Sequence, residues 1–256
     1  MWNQNDQNRP TLAQTFQPAA GARASAQTFT FVVNHLRSPS SGCGDGSDDP
    51  YQGGCNGMRL RMAQNVTTWL AGNPTADPLS ANRRLLLVGD FNAHYGEDPI
   101  QHFKTNGYAN LIDLILGAGA YSCNYGSQVG YIDHAMANAP MNLLVRSAAE
   151  WRNNADEPSS LEALNSSSKS AAAQIAYYGA DPWAAADHDP VVVAFNPLAG
   201  DFNDDGVVDA VDQKLLAAAI GKNASAVDRR MDLDGDGKVT ANEYRLWTAL
   251  YRAFIQ

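Results

Sequence analysis

Short apolar runs separated by polar, glycine-rich connections make up most of the first 197 residues. Four runs without helical spacing predict strands at residues 29–34, 85–89, 131–137 and 191–195. Most of these runs are continuously apolar, which predicts strands buried on both faces. Apolar side chains recur at helical spacing over residues 57–71, which predicts a helix. The mixture predicts a layered α+β domain with functional side chains on loops at strand ends.

The pattern changes at residues 196–200. Beyond that point two short acidic loops, which open at Asp201 and Asp232, each precede an amphipathic stretch. These stretches predict two helices, at residues 212–220 and 242–254. The repetition indicates a small all-α module. We therefore expect one domain over residues 1–197 and a second over residues 198–256.

The chain has 256 residues, a net charge of −9 and a pI of about 4.9. A module that binds a polyanion by charge alone is normally basic, so the acidity argues against a passive DNA-binding protein. It does not argue against an enzyme whose carboxylates hold divalent cations. No apolar run reaches the length of a membrane span, and residues 1–10 lack the features of a signal peptide.

Cys43 and Cys55 bracket a loop rich in glycine and aspartate. A disulfide between them would staple this loop and would imply an oxidising compartment, as expected for a secreted protein. The alternative is a pair of free thiols in a flexible loop. Cys123 is left over, either buried and inert or paired with a partner outside this chain.

Each acidic loop has oxygen-bearing side chains at alternate positions and a glycine, Gly206 or Gly237, at its sixth position. Calcium takes oxygen ligands from such an alternation, with the main-chain carbonyl of the seventh position. Two such loops in tandem, each entering a helix, make a solvated acidic turn a poor alternative. The predicted calcium ligands are Asp201, Asn203, Asp205, Val207, Asp209 and Asp212 in the first loop and Asp232, Asp234, Asp236, Lys238, Thr240 and Glu243 in the second.

The first loop follows the sequence FNPLAG, which does not predict the helix that precedes the loop of an ordinary EF-hand. A loop followed by a helix, duplicated over most of residues 198–256, resembles the type I dockerin module. The resemblance implies that two structural Ca²⁺ ions fold the module and that it docks onto a cohesin-type protein. A calcium-stabilised cap without a partner is the alternative.

Four motifs of the first region carry polar side chains at the ends of predicted strands. They are VVNHLRS with His35, GDFNAHYGEDP with Asp90 and Asn92, GYIDHAMAN with Asp133, and ADHDPVVVAF with Asp187 and His188. In this order and spacing they resemble the endonuclease/exonuclease/phosphatase superfamily, whose members include deoxyribonuclease I and sphingomyelinases. The likeness extends to large bacterial extracellular nucleases through the Cys-bracketed loop and the stretches Asn8–Phe16, Asn154–Pro158 and near Lys169.

The resemblance covers nearly all of residues 8–197 and implies a deoxyribonuclease I-like fold, a sandwich of two sheets flanked by helices. In the superfamily an early Asn and a metal-binding Glu precede the equivalents of Asn8–Phe16, where this chain has seven residues. Glu97 and Glu157 do not correspond to that Glu in position. We therefore expect a partial sandwich whose N-terminal part is missing, and the activity of this chain alone becomes a question for assay.

The resemblance also implies roles for the residues of the last two motifs. Asp187 is expected to bind Mg²⁺, or Mn²⁺ in its place, and His188 to contact the scissile phosphate. Asp133 is expected to accept a hydrogen bond from His188 and so to fix its tautomer. His134 is assigned a structural role, because strand alternation points it away from Asp133.

Roles for the first two motifs follow in the same way. Asp90 is expected to orient or deprotonate the attacking water and to share in metal binding, and Asn92 to donate to the phosphate. His35 is expected to be a second imidazole on the phosphate side. Four arginines could contact phosphates, but solvated surface positions are the simpler expectation: Arg59, Arg61, Arg83 and Arg84.

Together these features favour a secreted, metal-dependent phosphodiesterase that cleaves nucleic acid. A sphingomyelinase-like or other phosphoesterase shares the same metal and histidine centre and is the first alternative. A non-catalytic protein that attaches to a cohesin through its dockerin-like module is the second.

Overall fold

The computed structural model describes residues 9–19, 27–40, 42–125, 128–157, 169–177, 179, 183, 185–234 and 236–255. Asn8 and Pro158, which bound two of the nuclease-like stretches, lie outside the described residues. The strands are β1 Leu12–Phe16, β2 Phe29–His35, β3 Leu85–Asp90, β4 Tyr108–Asn110, β5 Cys123–Tyr125, β6 Gln128–Gly130, β7 Asp133–Asn138, β8 Val145–Glu150 and β9 Val191–Phe195. The helices are α1 Asn56–Ala71, α2 Asp98–Thr105, α3 Leu111–Leu116, α4 Ala139–Asn142, α5 Ala171–Tyr177, α6 Ala210–Ala219 and α7 Ala241–Ile255.

The main sheet has five strands in the order β1-β2-β3-β7-β4. Strands β2 and β3 run parallel, and the other neighbours are antiparallel. Two further pairs, β5–β6 and β8–β9, form separate two-stranded sheets. Because β2 and β3 are parallel, their carboxyl ends meet at one edge of the sheet, and functional side chains there can converge.

The main sheet is covered on both faces. Apolar side chains of α1 and α2 pack on one face around Val32 and Leu87, and those of β8, β9 and α3 pack on the other around Leu86 and Ala137. Within β2 and β3, neighbouring residues therefore contribute to different cores, as strand alternation requires. This arrangement confirms the α+β class and the layering of a small second sheet against a larger one.

The four predicted strands and three predicted helices are present with shifts of one or two residues at several ends; β7 begins at Asp133 rather than residue 131. The prediction of strands buried on both faces holds for the start of β3 and the middle of β7, where successive residues are buried. It is wrong for β2, where buried residues alternate with more exposed ones, and for β9, which alternates between half-buried and exposed residues. The apolar run at residues 191–195 predicted more burial than β9 has, because β9 lies in a two-stranded sheet.

The disulfide between Cys43 and Cys55 is present, and Cys123 is a buried free thiol. The expectation of solvated arginines is wrong for Arg59, which is fully buried and donates to main-chain carbonyls of the Cys-bracketed loop. It is also wrong for Arg84, which is buried and donates to the carbonyl of Pro197. These guanidinium groups fasten loops whose carbonyls have no strand partner.

The helices α6 and α7 pack around their own core, which contains Leu216, Val239 and Trp247. The segment between the acidic loops also contacts the first region: the Arg229 guanidinium donates to the Val145 carbonyl at 3.0 Å and to Oδ1 of Asn142 at 2.7 Å. Throughout the described part of the chain, each helix is too short or too polar to cross a bilayer.

Candidate active site and calcium loops

Three predicted site residues lie side by side in one row across the main sheet. His35 ends β2 and is the register partner of Asp90, which ends β3. Asp90 is in turn the partner of Asp133, which begins β7. Directly opposed residues on neighbouring strands point to the same face of a sheet. The three side chains therefore converge, and Nε2 of His35 lies 3.2 Å from Oδ2 of Asp90.

The close approach of β2 and β3 beside this row depends on Gly89. Its φ is +127°, and a Cβ atom there would lie 2.0 Å from the carbonyl oxygen of Asn34. Only glycine fits such a position without moving a strand. The glycine of the GDFN motif is thus required by the packing of the sheet immediately before Asp90.

His188 completes the row from the turn that precedes β9. Its Nδ1 donates a 2.7 Å hydrogen bond to Oδ2 of Asp133, as the resemblance implied. The buried hydroxyl of Ser122 donates to the same oxygen at 2.7 Å. The carboxylate therefore holds the imidazole in the tautomer with a proton on Nδ1. Sequence reasoning missed Ser122, because no motif or spacing marks a buried serine in front of a three-residue strand.

The electrostatic environment favours the charged form of this imidazole. The hydrogen bond to Asp133 raises the pKa of His188 to about 9, although partial burial lowers it. The carboxylates of Asp90 and Asp187 also raise the pKa. The side chain is 27% exposed, so an imidazolium at neutral pH is accessible to an anionic ligand.

The other half of the row has the opposite character. Burial lowers the pKa of His35 and raises the pKa of Asp90, and the nearby Asp133 carboxylate raises the Asp90 pKa further. Both side chains are thereby shifted toward their neutral forms. A carboxylate with a raised pKa next to a neutral imidazole is suited to accept a proton in general base catalysis.

Asn92 orients Asp90 from the turn that follows β3. Its main-chain N–H donates to Oδ1 of Asp90 at 2.7 Å, and its Nδ2 donates to Oδ2 at 3.1 Å. The same Nδ2 donates to the Leu36 carbonyl at 3.0 Å. Both amide hydrogens therefore have acceptors inside the protein. Donation to a phosphate stays a prediction, and it requires one of these bonds to be exchanged.

The catalytic metal implied by the resemblance can be tested against the donors present. Asp187 is exposed in the turn before His188, and both Asp90 oxygens already accept hydrogen bonds from Asn92. Mg²⁺ keeps several waters and takes one or two carboxylates in many sites. Among the described residues, however, three acidic or imidazole donors converge only in the second acidic loop. A magnesium ion held by Asp187 or Asp90 would therefore take most of its ligands from water or substrate.

His134 has the structural position that strand alternation predicted. It is fully buried, its Nε2 donates to the Ala93 carbonyl at 2.8 Å, and its Nδ1 accepts from Nδ2 of Asn110. Burial lowers the pKa of His134 to about 4. A neutral imidazole with one donor and one acceptor satisfies both partners, so this histidine braces the loop after Asn92 from the opposite face of β7.

The second acidic loop fits a calcium ion. Carboxylate oxygens of Asp232, Asp234 and Asp236 lie within 4.8 Å of one another. Glu243, at the twelfth position, is buried; its Oε2 accepts from the Thr240 main chain, whereas its Oε1 has no hydrogen-bond partner. A buried carboxylate oxygen without a donor is explained by a cation ligand. These four residues, with carbonyl oxygen from Lys238, would hold the ion.

The first acidic loop has a related construction. Asp201 and Asp212 are fully buried, and Gly206 adopts the left-handed conformation that the sixth position needs. Asp212 accepts from the main chain of Phe202 and of Asp209. Asp209 also caps helix α6, since its side chain accepts from the Val211 main chain. These hydrogen bonds orient the carboxylates of Asp209 and Asp212.

Comparison with known families adds two matches. Residues 68–152 match the endonuclease/exonuclease/phosphatase family, and residues 199–246 match the dockerin type I domain. The first match includes Asp90, Asn92 and Asp133, whereas His35 and His188 lie outside it. The family models thus find an endonuclease/exonuclease/phosphatase domain at residues 68–152 and a dockerin type I domain at residues 199–246.

Among solved structures, the chain is similar to the human Nocturnin catalytic domain with bound sulfate anion. The identity is 20% and the TM-score 0.38, and the alignment covers 54% of this chain and 44% of the Nocturnin chain. The chain thus spans less than half the length of that structure. Comparison with curated proteins gives no match.

Proposed function

We propose that this protein is a metal-dependent phosphodiester hydrolase that cleaves nucleic acid outside the cell and is attached to a partner through its calcium-binding module. The observation that supports the catalytic part best is the row of His35, Asp90 and Asp133 across three strands, joined to His188 by a 2.7 Å hydrogen bond. Two carboxylates, together with two imidazoles whose pKa values are shifted in opposite directions, are the groups that acid–base cleavage of a phosphodiester needs.

In this proposal the two halves of the row have different duties. His188, held charged by Asp133, binds the phosphoryl oxygens and stabilises the negative charge that builds up during attack. Asp90, held in position by Asn92 and with its pKa raised by burial, orients the attacking water and accepts its proton. His35 lies beside Asp90. In this proposal it donates a proton to the leaving oxygen.

Enzymes of this family generally use a divalent metal ion, which offsets charge at the phosphoryl oxygens. Asp187 and Asp90 are the residues that would hold such an ion. We expect activity with Mg²⁺ or Mn²⁺ and its loss when the ion is chelated.

The attachment part rests on the dockerin type I match at residues 199–246. Dockerin modules bind cohesins and occur in extracellular proteins, which agrees with the disulfide between Cys43 and Cys55. We expect a type I cohesin to capture the full chain in the presence of Ca²⁺ and to release it when the ion is chelated. Capture that is unaffected by chelation would contradict this part.

The catalytic part is tested with a panel of supercoiled plasmid DNA, single-stranded RNA, sphingomyelin vesicles and sugar phosphates. We expect cleavage of a polynucleotide in Mg²⁺ or Mn²⁺, reduced roughly 10²- to 10⁴-fold in His188→Ala. His102→Ala is the matched control, because His102 lies on α2 and is also partly exposed and hydrogen-bonded. Equal activity of wild type and His188→Ala would refute the proposal. Preferential cleavage of sphingomyelin would show that the substrate is a phospholipid and not nucleic acid.

A further inference from the structure

The turn that carries His188 lies where the ladder between β8 and β9 ends. The last register pair joins Glu150 to Val191, and one further bond runs from the Trp151 N–H to the Pro190 carbonyl at 2.8 Å. Proline has no N–H to donate, so the ladder cannot continue through Pro190. The chain before β9 therefore needs another set of bonds to fix its position.

The side chain of Asp189 makes the hydrogen bonds that fix the chain before β9. It is fully buried, and its Oδ1 accepts from the main-chain N–H of Asn153 at 2.8 Å and of Ala155 at 3.4 Å. Its Oδ2 lies 3.2 Å from the Arg152 guanidinium. A buried carboxylate is stable only when its oxygens are bonded in this way. Asp189 thus fastens residues 152–155 to the turn that contains His188.

The loop of residues 152–155 in turn holds the main chain of His188. Nδ2 of Asn153 donates to the His188 carbonyl at 3.0 Å. On the other side, the Asp189 N–H donates to the Ser122 carbonyl at 2.6 Å, and Ser122 is the residue whose hydroxyl bonds Asp133. Asp189 is therefore connected by hydrogen bonds to both partners of the Asp133–His188 pair. It reaches His188 through Asn153 and Asp133 through Ser122.

We propose that Asp189 is a positioning residue for His188. Its carboxylate fixes Asn153, and Asn153 fixes the His188 main chain so that the imidazole reaches Asp133. The proposal deepens the proposed function and rests on it for its kinetic readout. A displacement of about 1 Å in a reacting group can cost roughly 10²-fold in rate, so loss of this support lowers kcat more than it raises KM.

Three variants test the proposal. Asp189→Asn is isosteric and keeps an acceptor for Asn153, but it places an amide NH₂ group against Arg152. Asn153→Ala leaves Asp189 intact and removes the bond to the His188 carbonyl. Asp113→Asn is the matched control, since Asp113 pairs with Lys104 on the surface. We expect kcat on plasmid DNA to fall about tenfold or more in the first two, with KM within about twofold, and no change in the control.

A second readout does not depend on activity. The Nδ1–H proton of His188, hydrogen-bonded to Asp133, gives a downfield proton resonance that is identified by its loss in His188→Ala. We expect this resonance to shift or broaden in Asp189→Asn and in Asn153→Ala, and to persist in Asp113→Asn. A purely structural role would lower the melting temperature and leave the resonance of the folded protein unchanged.

The outcomes separate this proposal from the proposed function. If both site variants keep the wild-type resonance and kcat, the positioning role is overturned whatever happens to their stability. If the wild type cleaves no phosphodiester, the proposed function fails and the resonance alone decides the role of Asp189. If Asp189→Asn does not fold, Asn153→Ala carries the test, because the buried carboxylate and its ion pair with Arg152 remain in that variant.

Discussion

The sheet-edge row and the second calcium loop both bring carboxylates together, but they satisfy them differently. In the row, Oδ2 of Asp133 accepts two hydrogen bonds, from the His188 imidazole and the Ser122 hydroxyl. In the loop, Oε1 of Glu243 is buried with no hydrogen-bond partner. A doubly bonded carboxylate orients a neighbouring proton donor, whereas an unpartnered one is suited to a cation. The difference supports our proposal of proton transfer in the row and of calcium binding in the loop.

The two regions also differ in how far apart their residues lie in the sequence. The loop closes within residues 232–243, whereas the row joins His35 to His188. Local spacing sets the loop, and strand register sets the row. A substitution can therefore alter one region and leave the other unchanged.

Asp133→Asn breaks the row and leaves the calcium loops intact. The amide can no longer hold His188 charged with its proton on Nδ1, so we expect phosphodiesterase activity to fall roughly 10²- to 10⁴-fold. Initial rates on plasmid DNA measure the loss. Calcium binding, followed by calorimetry, should be unchanged; a weaker calcium affinity in this variant would contradict the separation of the two regions.

Glu243→Gln breaks the second loop and leaves the row intact. The variant loses the charged ligand at the twelfth position, so we expect calcium affinity to fall and the helical signal of α6 and α7 to require more Ca²⁺. Circular dichroism during a calcium titration provides the measurement. Lys214→Ala, on the exposed side of α6, serves as the control. A titration curve identical to wild type would exclude Glu243 as a ligand.

His134, within β7, makes the stability of the sheet that carries the row depend on pH. His134 is neutral in the folded protein because burial lowers its pKa to about 4. Its contribution to stability is present above the unfolded pKa of about 6.5 and is lost as pH falls toward 4, by up to about 3 kcal/mol. Urea unfolding at pH 7 and pH 4.5 should therefore differ less in His134→Gln than in wild type.

His102→Gln is the control for that comparison, because His102 is only partly buried on α2. Burial lowers the pKa of His102 as well, so this variant should reduce the pH dependence, but less than His134→Gln does. An unchanged pH dependence in His134→Gln would mean that this imidazole is already charged in the folded protein, against its bonds to Ala93 and Asn110.

Arg229→Ala tests whether the regions are independent in stability as well as in chemistry. The guanidinium joins the segment between the calcium loops to Asn142 and Val145. Its loss should cost about 1–3 kcal/mol and should separate the unfolding of the C-terminal module from that of the first region in scanning calorimetry. Arg245→Ala, exposed on α7, should leave the calorimetric profile unchanged; the same profile for both variants would remove Arg229 from the interface.

The dockerin type I domain was predictable from sequence because the oxygen-bearing side chains of its two acidic loops follow one another at fixed spacing. The strand and helix patterns were also sufficient for the α+β class, and the GDFN and ADHDP motifs carried Asp90 and His188. The strands β4, β5 and β6 have three residues each, too few for a periodic pattern, and were missed. The longer strands β1 and β8, which mix apolar and polar residues, were missed as well. Missing β8 also hid the loop that Asp189 fastens.

Register and burial were the other missing information. Sequence spacing could not give the pairing of His35 with Asp90, which depends on β2 and β3 lying parallel beside Gly89. Nor could it place Arg59 inside the protein, because its burial depends on carbonyls of a loop that lacks strand partners. Both failures arise where long-range contacts determine the environment of a polar side chain.

A double-mutant cycle on plasmid cleavage tests the row most directly, with Asp133→Asn, His188→Ala and the two combined. If Asp133 acts through His188, the double variant should be no more than about twofold slower than His188→Ala alone, because the carboxylate has nothing left to orient. If the two losses multiply, Asp133 and His188 act separately, and the row described here is not one catalytic unit.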